Sequence, residues 1–378
     1  MKEIFDSFSE IYNRQPEVIC FAPGRVNLIG EHTDYNGGHV FPCAIDLGIF
    51  CAASRREDRT LRFYSADFPE TGVVSCTADD LTPRHCWADY PIGVIRAFAA
   101  FGYPLPCGAD LYFSGDLPDG AGLSSSAALE TATGAALREL FGLPVTGQEL
   151  AVLGQFAENR FIGVNCGIMD QFASAMGRKG SALLLNANTL EYRCAPLGDA
   201  ALVIVNSGVK HSLAGSAYND RRRECETATR ALKAPYLCAL TPGKFERRAC
   251  LIENEICRKR ARHAVYENQR ALDAAKALEN GDLPEFGRLM NESHRSLRDD
   301  YEVSCEELDF LASTAQAFPG VYGARMTGGG FGGCTVNLIK KEAAQPFTEA
   351  IKAAYLKRYS KIPEVYAVSA GDGAVCLK

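Results

Sequence analysis

Gly115-Asp116-Leu117-Pro118-Asp119-Gly120-Ala121-Gly122-Leu123-Ser124-Ser125-Ser126-Ala127-Ala128 decides how the chain folds, because it joins an apolar run to a glycine turn and then to a serine-led helix. Leu111-Tyr112-Phe113, just before it, reads as a strand. Behind it, small apolar positions at Ala128, Ala132, Ala135 and Ala136 give the helix a buried face with close neighbours, and Ser124, Ser125 or Ser126 can cap it. Such a junction suits an anion, since the first N–H groups of a helix lack intrahelical partners and point outward beside the positive end of its dipole. Gly120 and Gly122 let backbone approach a phosphate with no Cβ in the way, and the serine hydroxyls can bond phosphate oxygens or Mg²⁺. A tight turn without a ligand is the alternative. No lysine lies between residues 97 and 178, so a Walker A loop is excluded and any phosphate here is held by backbone and hydroxyls.

Two further glycine-rich segments stand out. The first, Gly24 to Gly38, follows the apolar run Val18 to Ala22 and reads as a polar loop launched from a strand. It gathers Arg25, Glu31, His32 and Asp34 within ten residues, and carboxylates accept hydrogen bonds from vicinal hydroxyls, which suits a sugar; a salt-bridged surface turn is the alternative. The second, Gly328 to Gly333, satisfies G-x-G-x-x-G, but Cys334 to Ile339 behind it reads as a strand, so the dinucleotide-binding context fails and a tightly packed hairpin stays open. Asp170 sits in the otherwise apolar stretch Asn165 to Phe172, where a carboxylate must be paired, capping or functional. Glu158, twelve residues upstream on an expected helix, faces solvent by default.

The chain has 378 residues, enough for two to three domains at about 150 residues each. Its 40 lysines and arginines against 46 aspartates and glutamates give a net charge of −6, which argues against a nucleic-acid-coating surface. No uncharged apolar run approaches about 18 residues, and Glu3, Asp6 and Glu10 stand where a signal peptide would be apolar, so a cytoplasmic protein without membrane spans is expected. The 15 cysteines are odd in number and lack Cys-x-x-Cys spacing, as befits reduced thiols, and the six histidines show no metal-ligand spacing. Ala201 to Val205 suits a buried strand, whereas residues 219–233, 252–279 and 284–300 are charge-rich and expected helical. Ser304-Cys305-Glu306-Glu307 reads as a capping box ahead of Leu308, Leu311, Ala312 and Ala315 at helical spacing. The pattern is α+β, with a domain boundary near residue 196 that separates residues 1–195 from 196–378.

At these residues the chain resembles the galactokinases of the GHMP kinase superfamily. The carriers are Gly24 to Pro42, Gly120 to Ala128, Gly323 to Gly333, Cys166 to Phe172 and Trp87-Ala88-Asp89-Tyr90, so the likeness runs from residue 20 to about 338. The resemblance implies a two-domain α+β fold with the active site in the inter-domain cleft. It also implies transfer of the γ-phosphoryl of ATP to the C1 hydroxyl of α-D-galactose, with galactose and ATP as small-molecule partners and neither nucleic acid nor membrane. By that similarity Asp170 accepts the hydroxyl proton and Arg25 orients it and neutralises developing charge. Glu31, His32, Asp34, Gly167 and Tyr218 grip the sugar. Gly120, Gly122, Leu123, Ser124, Ser125, Ser126, Trp87 and Tyr90 hold the nucleotide, and Ser126 and Glu158 hold Mg²⁺. The rival readings are a kinase for N-acetylgalactosamine or another pyranose, and a non-catalytic galactose and ATP sensor.

Overall fold

Strand β1 (Val18–Asn27) continues through Gly24 and Arg25, residues that the sequence assigns to a loop. Pro23 has no N–H for the ladder, and the pairing with the neighbouring strand shifts register between Pro23 and Arg25. Past this bulge the Arg25 N–H turns away from the ladder and donates to the Leu123 carbonyl at 3.0 Å. A Cβ on Gly24 would stand 2.6 Å from the same oxygen, so only glycine lets the serine loop lie on the strand.

The computed structural model describes residues 2–118, 122–210 and 214–378, which leaves Gly120 outside the described residues. The other strands of the first half are β2 (His39–Val40), β3 (Pro42–Arg55), β4 (Thr60–Ser65), β5 (Val74–Thr77), β6 (Ala109–Gly115), β7 (Ser181–Asn186) and β8 (Tyr192–Pro196). The second half has β9 (Ala200–Lys210), β10 (Val321–Thr327), β11 (Gly332–Lys340), β12 (Glu364–Val368) and β13 (Val375–Cys376). Helices α1 (Lys2–Tyr12), α2 (Asp89–Ala100), α3 (Ser125–Phe141), α4 (Gly147–Ala157) and α5 (Met169–Met176) belong to the first half. The second has α6 (Ala214–Ala231), α7 (Pro242–Glu246), α8 (Glu255–Glu279), α9 (Leu283–Asp299), α10 (Glu306–Gln316) and α11 (Ala344–Tyr359).

A six-stranded sheet, β13-β1-β3-β6-β4-β5, takes α1 on one face through Phe8 and Tyr12. Helices α2, α3 and α4 cover the other face, where Ala128, Ala132, Ala135 and Ala136 are all fully buried, as the small-residue spacing predicts. The second half folds on the sheet β10-β11-β9-β12. Strand β9 alternates: Leu202 and Ile204 pack under α8 and α9, while Val203 and Val205 pack under α10 and α11. That first core also contains Val26, Leu28, Ile29 and Phe41, so one apolar cluster ties the halves together. Residue 196 ends β8, whereas β13 returns to pair Cys376 with Cys20 of β1. The smaller sheet β2-β7-β8 borders the junction.

Two caps differ from expectation. No side-chain capping bond forms at α3, because the Ser124 hydroxyl is drawn to Asp170 instead. The capping box before α10 is not made either: Cys305 takes the cap position, and Ser304 Oγ donates to Asp309 at 2.6 Å. Leu308, Leu311, Ala312 and Ala315 are buried as expected. No helix among the described residues is long and apolar enough to cross a membrane.

Candidate active site

Three segments distant in sequence meet at Asp170. Helix α5 brings its carboxylate up from the first turn, and the Ser174 hydroxyl anchors that helix to the Pro23 carbonyl at the β1 bulge, at 2.7 Å. Arg25 meets the carboxylate as a fork, Nε to Oδ1 and Nη2 to Oδ2, both at 2.7 Å. Its remaining Nη1 donates to the Gly122 carbonyl at 2.8 Å. Ser124 Oγ donates to Oδ2 at 2.7 Å, from a residue held at φ +64°, a region that non-glycine residues rarely occupy. Arginine, carboxylate and the described end of the serine loop thus form one hydrogen-bonded unit.

That unit lines a cavity of about 340 Å³ between the halves. Glu31, His32, Asp34 and Gly167 come from the first half, and Tyr218, Gly328 and Gly329 from the second. Glu31 is buried and ion-paired with Arg325 of β10. His32, at φ +61°, bonds Tyr35 through Nδ1 at 2.8 Å, while its buried Nε2 has no hydrogen-bond partner among the described residues. Burial, with the nearby His263 and Arg325, lowers the His32 imidazole to about 3, so it stays neutral and free to meet a hydroxyl. Burial lifts the Asp34 carboxyl to about 7; the Tyr35 N–H opposes the shift and the charges on Asp170 and Glu31 add to it. Gly167 lies against Asp34 so closely that a Cβ there would sit 1.8 Å from Oδ2. The Tyr218 ring closes the cavity 5.7 Å from that of His32.

A second cavity, of about 260 Å³, lies on the other side of the α3 N-terminus and is lined by Trp87, Tyr90, Ser125, Ser126, Phe68 and Leu129, among others. Phe68 stacks on Trp87, whose buried indole N–H has no partner among the described residues. Trp87 and Tyr90 therefore belong with the serine loop and stand apart from the Asp170 cavity. Leu123 is buried and serves through its carbonyl, while Gly122 takes φ +70°. Glu158 is buried rather than solvent-facing, at the start of a π-helical turn, Glu158–Ile162. It lines the first cavity, and Ser126, which donates to its Oε1 at 3.2 Å, lines the second. Burial raises the Glu158 carboxyl, and Asp170 adds to the shift. Its other partners are Gln171 and Cys166, neither a cation, so the donor set fits a divalent cation that would meet nucleotide phosphates. No cluster of three or more His, Cys, Asp or Glu suited to a metal occurs among the described residues.

Several partners escape sequence reasoning. Arg325 pairs with Glu31 and donates to the Asn27 carbonyl at 2.7 Å, although it lies inside the glycine-flanked motif Gly323 to Gly333. Gln171 bridges Glu158 and the buried Glu130 through one amide nitrogen. A buried charge in a glycine motif was the available signal for Arg325; Gln171 and Glu130 carry none.

Comparison with known proteins fits this geometry. The galactokinase galactose-binding signature matches residues 6–55, the GHMP kinases N terminal domain 89–178 and the GHMP kinases C terminal domain 274–357. The chain is 49% identical to a galactokinase of Ligilactobacillus salivarius, covering 100% of this chain and 99% of that protein. It is 48% identical to one of Bacillus subtilis with the same coverage. Lactococcus lactis galactokinase, solved in complex with galactose, superposes with a TM-score of 0.96 at 42% identity over 99% of both chains. Methanococcus jannaschii mevalonate kinase, 19% identical with a TM-score of 0.67, shares the fold. The chain belongs to the galactokinase family of the GHMP kinases.

Proposed function

We propose that this enzyme transfers the γ-phosphoryl group of ATP to the C1 hydroxyl of α-D-galactose, yielding α-D-galactose 1-phosphate and ADP as the first committed step of galactose metabolism, the Leloir pathway. The observation that carries this reading is the Arg25–Asp170 fork on the wall of a sugar-sized cavity. A carboxylate offers about four lone-pair sites. Arg25 takes one on each oxygen and Ser124 a second on Oδ2, which leaves a site on Oδ1 for the C1 hydroxyl. The hydroxyl proton passes to Oδ1 while the oxygen bonds to the γ-phosphorus and the bond to the ADP oxygen breaks. In a loose transition state that proton leaves late, so Asp170 orients the nucleophile before it serves as base. Arg25, itself buried, keeps its charge beside the reacting group throughout.

Glu31, His32, Asp34, Tyr218 and the backbone of Gly167 are assigned to the sugar hydroxyls. Trp87 and Tyr90 are assigned to adenine, and Ser124, Ser125, Ser126 and the glycine turn to the phosphates. Ser126 and Glu158 would hold Mg²⁺, which supplies charge neutralisation to the phosphates when bound. Residues 1–195 and 196–378 are proposed as the two domains, with β13 returning to the first. The proposed compartment is the cytoplasm, where ATP is at hand and thiols stay reduced. The test is ADP release from Mg·ATP with D-galactose, N-acetylgalactosamine, D-glucose and no sugar in parallel. Turnover mainly with galactose is expected; silence alongside measurable galactose binding would transfer the argument to a sensor.

A further inference from the structure

The loop that carries Glu31, His32 and Asp34 is held from behind by helix α8. Glu267, fully buried, accepts through Oε1 from the backbone N–H of Gly30 at 2.9 Å and of Glu31 at 3.3 Å, and from Ser293 Oγ at 2.6 Å. Its second oxygen takes Arg270 Nε at 2.7 Å. One turn earlier, His263 lies with Nε2 3.1 Å from the Glu31 carbonyl and Nδ1 3.0 Å from Ser296 Oγ. A carbonyl only accepts, so Nε2 carries the proton, and Nδ1 lies beside Ser296 Oγ, which donates to Asp300 Oδ2 at 3.0 Å. Both peptide groups that flank the Glu31 Cα are therefore fixed by one helix. The hold matters because His32, the next residue, stands at φ +61°, a conformation that a non-glycine residue keeps only where the surroundings over-determine it. Neither His263 nor Glu267 lines the sugar cavity.

We infer that His263 and Glu267 are positioning residues for the sugar: by clamping the peptide groups around Glu31 they set where Glu31 and His32 meet its hydroxyls. This rests on the galactose reading above. The pair touches neither the nucleotide cavity nor Asp170, so its loss should act on sugar affinity and leave ATP affinity and the chemical step alone.

Three substitutions at one site separate positioning from bulk packing. His263→Phe keeps a ring against Tyr301, 4.4 Å away between centroids, and removes the donor. His263→Gln returns an amide N–H near the place of Nε2, whereas His263→Asn returns one near Nδ1 only. In the Phe and Asn variants the galactose KM should rise about tenfold, with kcat and the ATP KM within about twofold of wild type, and the Gln variant should recover most of that loss. Ser296→Ala, which keeps the imidazole and its Nε2–H and removes only the hydroxyl that steadies the ring at Nδ1, should move the galactose KM in the same direction by about threefold, and it keeps the test open if a His263 variant does not fold. A galactose KM indifferent to Gln against Asn, or losses in both KM values and kcat that track the melting temperature in every variant, would overturn the inference. A wild-type chain inactive on galactose would overturn the galactose reading alone, and the Gln-against-Asn contrast is then read on the affinity for whichever pyranose binds.

Discussion

Gly167→Ala is a steric test of the sugar grip. The added Cβ would lie 1.8 Å from Oδ2, 2.3 Å from Cγ and 2.9 Å from Cβ of Asp34, where ordinary contact begins at 3.4 Å. Oδ2 must retreat by roughly 1.6 Å, and because Cγ and Cβ collide as well, turning the carboxylate alone does not relieve the clash. Gly167 is not among the residues with positive φ, so its own backbone accepts alanine and the clash is the whole perturbation. Misplacing a positioning group by about 1 Å costs about 10²-fold, or about 2.7 kcal/mol at 1.36 kcal/mol per decade. The measurement is galactose KM and calorimetric Kd for both proteins, with the ATP KM and melting temperature as controls. Galactose affinity should fall by about 10²-fold while the ATP KM holds. Adding Asp34→Gly, which removes all three clashing atoms, should make the double variant no worse than Asp34→Gly alone. Unchanged galactose affinity, or an equal loss for ATP, would refute the assignment of Asp34 and Gly167 to the sugar.

Asp170→Asn turns an amide N–H toward Arg25 or Ser124, both donors; kcat should fall by about 10² or more with galactose Kd near wild type, and near-normal turnover would refute the base role. Trp87 is the single tryptophan and lines the second cavity, so a saturating non-hydrolysable ATP analogue should change its emission; an unchanged spectrum contradicts the adenine assignment. Burial raises Asp34 from 3.8 to about 7, so folding favours its protonated form: the group costs no stability below 3.8, and its cost grows until pH passes about 7. Since the ionised form is the better acceptor for sugar hydroxyls, galactose KM should fall as pH rises through neutrality, and a slope that survives in Asp34→Asn would reassign it.

Local signals carried much of this architecture. The alanine spacing of α3, the charge-rich helices and the strand behind Gly333 were legible because each depends on neighbours within a few residues. Arg25 reads as loop because the polar signature hides a strand that bends at Pro23. The serine cap failed on a competing long-range partner, with the Ser124 hydroxyl drawn to Asp170, 46 residues on. Glu158 reads as solvent-facing because its helix carries no mark of the π turn or of the Gln171 and Cys166 contacts that bury it. His263 and Glu267 were invisible for the same reason: their partners at Gly30 and Glu31 lie more than 230 residues away in sequence. The signature segments mark residues that meet at the Asp170 cavity; they do not mark the ones hydrogen-bonded behind them.

The most direct test of the central claim is the position of the phosphate on the product. Incubated with Mg·ATP and galactose, the wild-type chain should yield a sugar whose anomeric proton is split by phosphorus in the nuclear magnetic resonance spectrum, with the α configuration and one ADP per phosphate. Phosphorus coupling at any other carbon, or ADP formation without a sugar phosphate, would contradict it.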